Sequence, residues 1–330
     1  MMHKSALVAI GGNALIRAGE KGTIAEQLAN TRRTAAAIRK LIELGYSLVI
    51  THGNGPQVGA QLLRSERASN VVYSQTLDVC GAASQGEIGY LLAQALHNEL
   101  SQAGLHIPVV CVITQTIVSA SDPAMQHPSK PIGPFYSRAD AEDRQRTLGW
   151  HIVEDAARGY RRVVPSPEPL EIVELDLIRE LVACGALVVS TGGGGIPVVR
   201  EGNALRGIEA VIDKDRASAV LAAQLGVDLF AICTDADYAY LNYKTPLQTP
   251  LHRVTASELA KHFRDGHFPP GNMGPKVESV LQFLAHGGEQ AVISSFELLP
   301  EAAMGLAGTH ISPDPLPLES QEDAEVLTCR

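Results

Sequence analysis

Short runs of unbroken aliphatic residues recur along this chain and stop abruptly at glycine or a polar turn. ALVAI (6–10) runs into Gly11, Gly12 and Asn13, and SLVIT (47–51) into His52, Gly53, Asn54 and Gly55. ALVVS (186–190) runs into Thr191 and four glycines, and LFAICT (229–234) into Asp235. PVVCVIT (108–114) and QAVIS (290–294) are similar. Successive side chains of a strand face opposite ways, so a run with no polar member needs cover on both faces. These runs therefore predict strands of a parallel sheet sandwiched between helices. Segments 25–44, 83–103, 215–225, 257–264 and 275–286 carry apolar residues near 3.6-residue spacing and read as those helices. Asp213, Thr255 and Asn272 stand close to helix starts as caps. Alternating strand and helix predicts an α/β fold on a mostly parallel sheet. There is no fixed-period repeat and no low-complexity linker.

One region breaks the rhythm. Between Pro123 and Pro169 the chain carries prolines at 123, 128, 131, 134, 165, 167 and 169, which forbids a long core helix. An irregular stretch of this length is unusual inside a domain, so residues from about 115 to 169 read as an inserted subdomain or lid.

Composition removes several classes of function. The 27 Lys+Arg against 36 Asp+Glu give a formal net charge of −9, which argues against binding nucleic acid by charge neutralisation. At 45% hydrophobic the chain is too apolar for disorder, and at 330 residues it can bury a large core, mostly aliphatic because only 5% is aromatic. Cys80, Cys111, Cys184, Cys233 and Cys329 never form C-x-x-C and suit neither a disulfide framework nor a zinc cluster. Cys111, Cys184 and Cys233 lie in apolar runs and read as small core residues. The opening MMHKSALVAIGGNA is too short in its apolar part for a signal peptide, and no run reaches the length of a membrane span. The expectation is a soluble cytoplasmic protein.

The strand ends are where the chemistry is expected. In open α/β sheets ligands bind beyond the carboxyl ends of the strands. Glycine lets backbone amides approach a ligand, and a following helix N-terminus favours an anion. One Gly-rich turn reads equally as a tight connection. Three of them, at 11–13, 53–55 and 192–195, point to an anionic ligand, most simply phosphate. Walker A and G-x-G-x-x-G are both absent: Val58 and Pro197 stand where the third glycine would be. Positive charge must then come from elsewhere. Lys130 in HPSKPIGPF, Lys214 in VIDKD and Lys276 in GNMGPK are flanked by Gly, Pro or apolar residues rather than by a solvated helix face. Phosphoryl transfer asks for positioning and positive charge on the migrating oxygens, with little covalent chemistry. Arg158, Arg161 and Arg162 read equally as an anion clamp or a surface charge run. His52 reads as structural rather than acid–base, and His262 and His267 lack zinc spacing. No serine sits in a G-x-S-x-G elbow.

On these residues the chain resembles the carbamate kinases of the amino acid kinase family. The matching blocks include AIGGNALI (9–16), ITHGNGPQVG (50–59), SQGEIGY (84–90), PSKPIGPF (128–135), TGGGGIPVV (191–199), EAVIDKDRASAVLA (209–222) and GHFPPGNMGPKVE (266–278). They follow the family's order over nearly the whole chain. Ala157 replaces a usual Gly and Asn272 a usual Ser. The resemblance implies one three-layer αβα sandwich over 1–330 with a central sheet of about eight strands, and a protruding lid at 116–168. Residues past His310 extend beyond the usual family end, and 313–330 read as a flexible tail. It also implies a homodimer that reversibly converts ATP and carbamate to ADP and carbamoyl phosphate with Mg²⁺, often towards ATP. Carried over by motif, Gly11, Gly12, Asn13, Gly53, Asn54, Gly193 and Gly194 line the substrate and phosphoryl site. Lys130, Lys214 and Lys276 stabilise the phosphoryl group, Asp213 orients the lysines, and Thr234, Asp235, Tyr243 and Met273 build the nucleotide pocket. The metal ligands are not assigned. A same-fold kinase for another small carbamate or carboxylate, or a non-catalytic nucleotide-binding regulator, are the alternatives.

Overall fold

The aliphatic runs do become the interior of a sheet, and the helices between them cover it. The computed structural model describes residues 4–12, 15–17, 19–154, 159–269 and 273–315. From the N-terminus these form β1 (Lys4–Ile10), α1 (Ile24–Glu43), β2 (Tyr46–His52), α2 (Gly55–Ala68), α3 (Leu77–Gln102), β3 (Val109–Cys111) and β4 (Gln115–Val118). Next come β5 (Lys130–Tyr136), α4 (Arg138–Leu148), β6 (His151–Glu154), β7 (Tyr160–Val164) and β8 (Pro169–Ile172). Then follow α5 (Leu175–Ala183), β9 (Leu187–Val189), β10 (Ile196–Glu201), β11 (Ala204–Gly207), α6 (Lys214–Leu225) and β12 (Leu229–Thr234). The chain continues through β13 (Tyr240–Leu241), β14 (Thr249–Pro250), β15 (Arg253–Thr255), α7 (Ala256–Arg264), α8 (Met273–Ala285), β16 (Ala291–Ser295), α9 (Leu299–Ala303) and β17 (Thr309–Ser312).

The central sheet has eight strands in the order β15-β17-β16-β12-β1-β2-β9-β3. Within it only β16 and β17 pair antiparallel. The two-residue period of a strand sorts β1 between two cores. Leu7 and Ala9 point to one side, with Phe230, Ile232 and Ile293 of neighbouring strands and Val277, Val280 and Phe283 of α8. Ala6, Val8 and Ile10 point to the other, against Ile38 and Leu41 of α1 and Ile88 and Leu92 of α3. This is the expected αβα sandwich. Full burial of each large aliphatic or aromatic side chain here contributes about 1.5–3 kcal/mol. No described helix is long and apolar enough to cross a membrane.

Local signals set most boundaries. Thr23 and Glu26 close a capping box on α1, and Thr255 and Glu258 do the same on α7. Asp213 caps α6 as expected, accepting from Asp215 N–H at 2.9 Å. The expected cap Asn272 lies outside the described residues. Three expectations are corrected. The run at 108–114 is not one strand: β3 ends at Cys111, and β4 belongs to a second sheet, β11-β10-β4-β8. The break falls at Thr114, whose N–H is taken by the Gln85 side chain, while its carbonyl accepts from Gln85 and from Ile196 N–H at the start of β10. Helix α3 begins at Leu77 rather than near residue 83. Cys184 is exposed, whereas Cys80 and Cys233 are buried.

Residues 130–164 contain a third sheet, β5-β7-β6, antiparallel throughout, together with α4. Beyond His310 the chain is still docked. Ile311 is fully buried, and Asp314 accepts from Ser257 N–H (3.2 Å) and Oγ–H (2.7 Å), so the expected tail is part of the fold at least to Asp314. Residues 316–330 lie outside the described residues.

Candidate active site

Neighbouring strands β12, β1, β2 and β9 run parallel, so their carboxyl ends, with the turns that follow, share one rim of the sheet. At this rim Gly11 passes so close to β12 that a Cβ would lie 3.1 Å from the Cys233 carbonyl oxygen. A Cβ on Gly53 would lie 3.4 Å from Lys214 Cδ and 3.6 Å from Gly12 N. The Lys214 side chain therefore lies over Gly53, beside Gly12. Gly53 N–H donates to the Ile10 carbonyl at 3.1 Å, which ties the first two turns together. Asn54 is buried, and its amide donates to Ser84 Oγ of α3 at 2.8 Å.

The third Gly-rich turn packs against the second. Gly193 (φ +67°) would place a Cβ 2.1 Å from Asn54 Nδ2, and Gly194 (φ +93°) would place one 2.8 Å from the Ile212 carbonyl oxygen. Gly194 N–H donates to the Thr191 carbonyl at 3.1 Å. These glycines answer a demand for close backbone passage under Asn54 and the segment leading to Asp213. Packing thus requires glycine at 193 and 194, the two positions expected to line the substrate and phosphoryl site. The sequence marks that glycine is needed but not for which reason.

His52 sits between the same two turns. Its Nδ1 is 3.0 Å from the Gly53 carbonyl, and a Cβ on Gly192 would meet its Nε2 at 2.3 Å. Burial pushes its pKa down to about 4. Nδ1 donates to the carbonyl, and the ring is neutral. An NMR titration is expected to show the His52 imidazole uncharged down to about pH 5, with no His52 limb in activity between about pH 5.5 and 8. Because the folded pKa lies below the unfolded value, acidification from about 6.5 towards 4 protonates the unfolded chain first and costs stability. A ring titrating near 6.5 would contradict this.

The three lysines meet two aspartates at this rim. Lys214 opens α6 and Lys276 lies in the first turn of α8; their ammonium groups reach Asp215 Oδ1 and Oδ2 at 2.5 and 3.2 Å. Lys130, the first residue of β5, reaches Asp213 Oδ2 at 2.5 Å. Asp213 Oδ1 meanwhile caps α6 through Asp215 N–H. The expectation that Asp213 orients all the lysines is therefore corrected: it holds Lys130, and Asp215 holds the other two. Burial alone would raise the Asp213 carboxyl, but the Lys130 charge and hydrogen bond and the Lys214 charge hold it well below the usual range. Burial likewise works against Asp215, and Lys214 and Lys276 outweigh it. Both carboxylates are thus ionised, and these three ammonium groups exceed the two carboxylates by one positive charge. The N-termini of α6 and α8 add to it.

Asp215 was not among the residues singled out from sequence. Its only signal was a second carboxylate beside Lys214 in VIDKD. Thr234, Asp235, Tyr243 and Met273 line one cleft with Tyr240 and Phe268. Thr234 and Asp235 also border a second cleft with Gly11, so the cleft and the lysine rim adjoin. Arg162 is away from this cluster, over the Trp150 ring at 4.6 Å and 3.4 Å from Glu209. His262 and His267 stack edge to face at 5.7 Å. Asn13, Ala157, Arg158 and Asn272 lie outside the described residues. Among the described residues no group of three His, Cys, Asp or Glu side chains could hold a metal.

The amino acid kinase family profile matches residues 4–295. The chain is 48% identical over 311 residues to a carbamate kinase of Thermococcus kodakarensis, covering 93% of this chain and 99% of that one. It is 44% identical over 311 residues to a carbamate kinase of Trichomonas vaginalis, again covering 93% and 99%. Among solved structures, carbamate kinase from Giardia lamblia bound to AMP-PNP is similar with a TM-score of 0.90 and 42% identity, covering 95% of this chain and 99% of that one.

Proposed function

The chain belongs to the amino acid kinase family, with carbamate kinases as its matched relatives, and from that premise we propose how its own residues carry the reaction. The reaction is reversible phosphoryl transfer between ATP and carbamate, giving ADP and carbamoyl phosphate. A carbamate oxygen bonds to the γ-phosphorus as the bond to the β,γ-bridging oxygen breaks. The nucleophile is already an anion, so no general base is required, which accords with a neutral, buried His52. What the enzyme must do is hold two anions in line and offset charge on the migrating group.

The observation that carries this reading is the Asp215 bridge. One buried carboxylate holds the ammonium groups of both Lys214 and Lys276, and the Lys214 side chain lies over Gly53 at the strand ends. Lys214 and Lys276 contact the transferred phosphoryl group and the nucleotide phosphates, and Lys130 enters from the inserted sheet. Gly11, Gly12, Asn13, Gly53 and Asn54 line the carbamate side. The cleft of Thr234, Asp235, Tyr243 and Met273 takes the nucleoside. Residues 116–168 act as the lid of a single 1–330 domain. Asp213 and Asp215 already face lysines, so a Mg²⁺ ion would be held chiefly by phosphate oxygens and water, where it would offset charge on the phosphates. A cytoplasmic homodimer completes the reading. The exposed Val79 and Tyr90 of α3, on the helix that packs β3 at the sheet edge, support a second copy there.

The test is ATP formation from ADP, Mg²⁺ and carbamoyl phosphate, followed by a coupled assay. Turnover is expected. Absence of turnover by the folded protein would overturn the assignment, and preferred turnover of another acyl phosphate would move it to another acid.

A further inference from the structure

Strand β5 is mounted at three points. Its first residue, Lys130, meets Asp213. At its middle, Gly133 (φ +71°) lies so close to Gly59 of α2 that a Cβ on Gly59 would fall 2.5 Å from Gly133 Cα. Its last residue, Tyr136, lies under the Arg144 guanidinium, 4.6 Å from the ring centroid. Arg144 belongs to α4, and its charge is met by Glu66 of α2. Trp150, the sole tryptophan of the chain, presents its ring to Arg144 at 5.1 Å and to Arg162 at 4.6 Å. One ion pair, its cation held against two rings, thus fastens the far end of the inserted sheet to α2.

This pair is better placed to hold than a surface bridge. The Arg144 and Glu66 side chains keep only 21% and 25% of their area exposed, and one Glu66 oxygen is buried with no hydrogen-bond partner. Losing either charge leaves the other sheltered and uncompensated, which costs more than parting two solvated ions. The ring faces also attract the guanidinium. Strand β5 is irregular between Ile132 and Tyr136, where four steps face two of β7 and Gly133 adopts its positive φ. Both ends of β5 pair with the one strand β7, Lys130 opposite Val164 and Tyr136 opposite Tyr160, so β7 passes a displacement at one end on to the other.

We propose that Arg144 and Glu66 are positioning residues for phosphoryl transfer: by clamping α4 to α2 they fix the far end of β5 and so hold the Lys130 ammonium in the site. This rests on the reading of Lys130 as a phosphoryl-contacting group. Misplacement of such a group by about 1 Å costs up to about 10²-fold in rate.

The test is a set of double-mutant cycles on the full chain, reading kcat and KM for ADP. Arg144→Met and Glu66→Gln are each made alone and with Lys130→Ala. Alone, each is expected to lower kcat about 10- to 100-fold with little change in KM for ADP. Combined with Lys130→Ala, each is expected to add less than about twofold, because residues acting through one group are not additive. Arg144 joins Glu66 to the Trp150 ring, so a changed Trp150 emission in Glu66→Gln is expected as Arg144 moves. Should Arg144→Met fail to fold, Glu66→Gln carries the test alone. If Lys130→Ala is impaired but the losses add in full, the positioning role falls and the reading of Lys130 stands. If Lys130→Ala is fully active, both fall. Unchanged Trp150 emission in a slowed Glu66→Gln also overturns the clamp.

Discussion

Replacing Lys214 with alanine is expected to lower kcat for ATP formation by about 10²–10³ while the protein still folds. The side chain lies across Gly53 beside Gly12, with only 14% of its area exposed. Asp215 holds the ammonium at 2.5 Å, so the charge stands in place before substrate arrives. In phosphoryl transfer, negative charge spreads over the equatorial oxygens of the migrating group, and a fixed cation meets it without reorganisation. Removing one such donor gives the loss stated above. Folding survives because Asp215 keeps Lys276 as its partner. Lys276→Ala should lose activity in the same direction, and the double variant should lose less than the product of the two, since the cations share one carboxylate. Steady-state kinetics beside thermal unfolding makes the measurement. A Lys214→Ala enzyme with kcat within about threefold of the parent would remove Lys214 from the phosphoryl site.

The layers of the fold were legible because strands covered on both faces leave a plain mark, an aliphatic run with no polar member. Where that mark misled, a side chain from elsewhere had intervened. The run through 108–114 continues in composition past the point at which Gln85 captures Thr114. Helix α2 went unread because Gly55 and Pro56 signal a turn as strongly as a helix start. The candidate site was legible in its cations and less so in its anions. A lysine among glycines and prolines stands out, whereas an aspartate beside a lysine is the commonest of solvated pairs. Only the approach of α8, more than fifty residues downstream of α6, makes Asp215 a shared partner rather than a surface charge. The run of four glycines suggests anion binding. In space its glycines are required by Asn54, Ile212 and His52, contacts with no local sequence signature.

The largest effect on stability is expected from Asp215→Asn, an isosteric change that removes charge and opens no cavity. Asp215 keeps 5% of its side-chain area exposed, and its two lysine partners keep 14% each. Without the carboxylate, two sheltered ammonium groups lose the charge they share. Breaking a buried pair in this way costs about 3–5 kcal/mol. Domains of this kind hold about 5–15 kcal/mol in all, so much of the margin depends on one side chain. The effect carries a pH signature. Burial favours the neutral acid, but the two lysines hold the folded pKa of Asp215 below the usual carboxylate range. The contribution is therefore complete above the unfolded pKa and fades as pH falls through the folded one. At neutral pH the parent should exceed the variant by the full amount. In acid the parent's own carboxylate takes up a proton, and the two curves should converge. Denaturant unfolding of both proteins from about pH 3 to 8 tests this. Equal stability at neutral pH would show that the bridge does not hold α6 to α8. A gap that persists unchanged into acid would show that something other than the Asp215 charge is responsible.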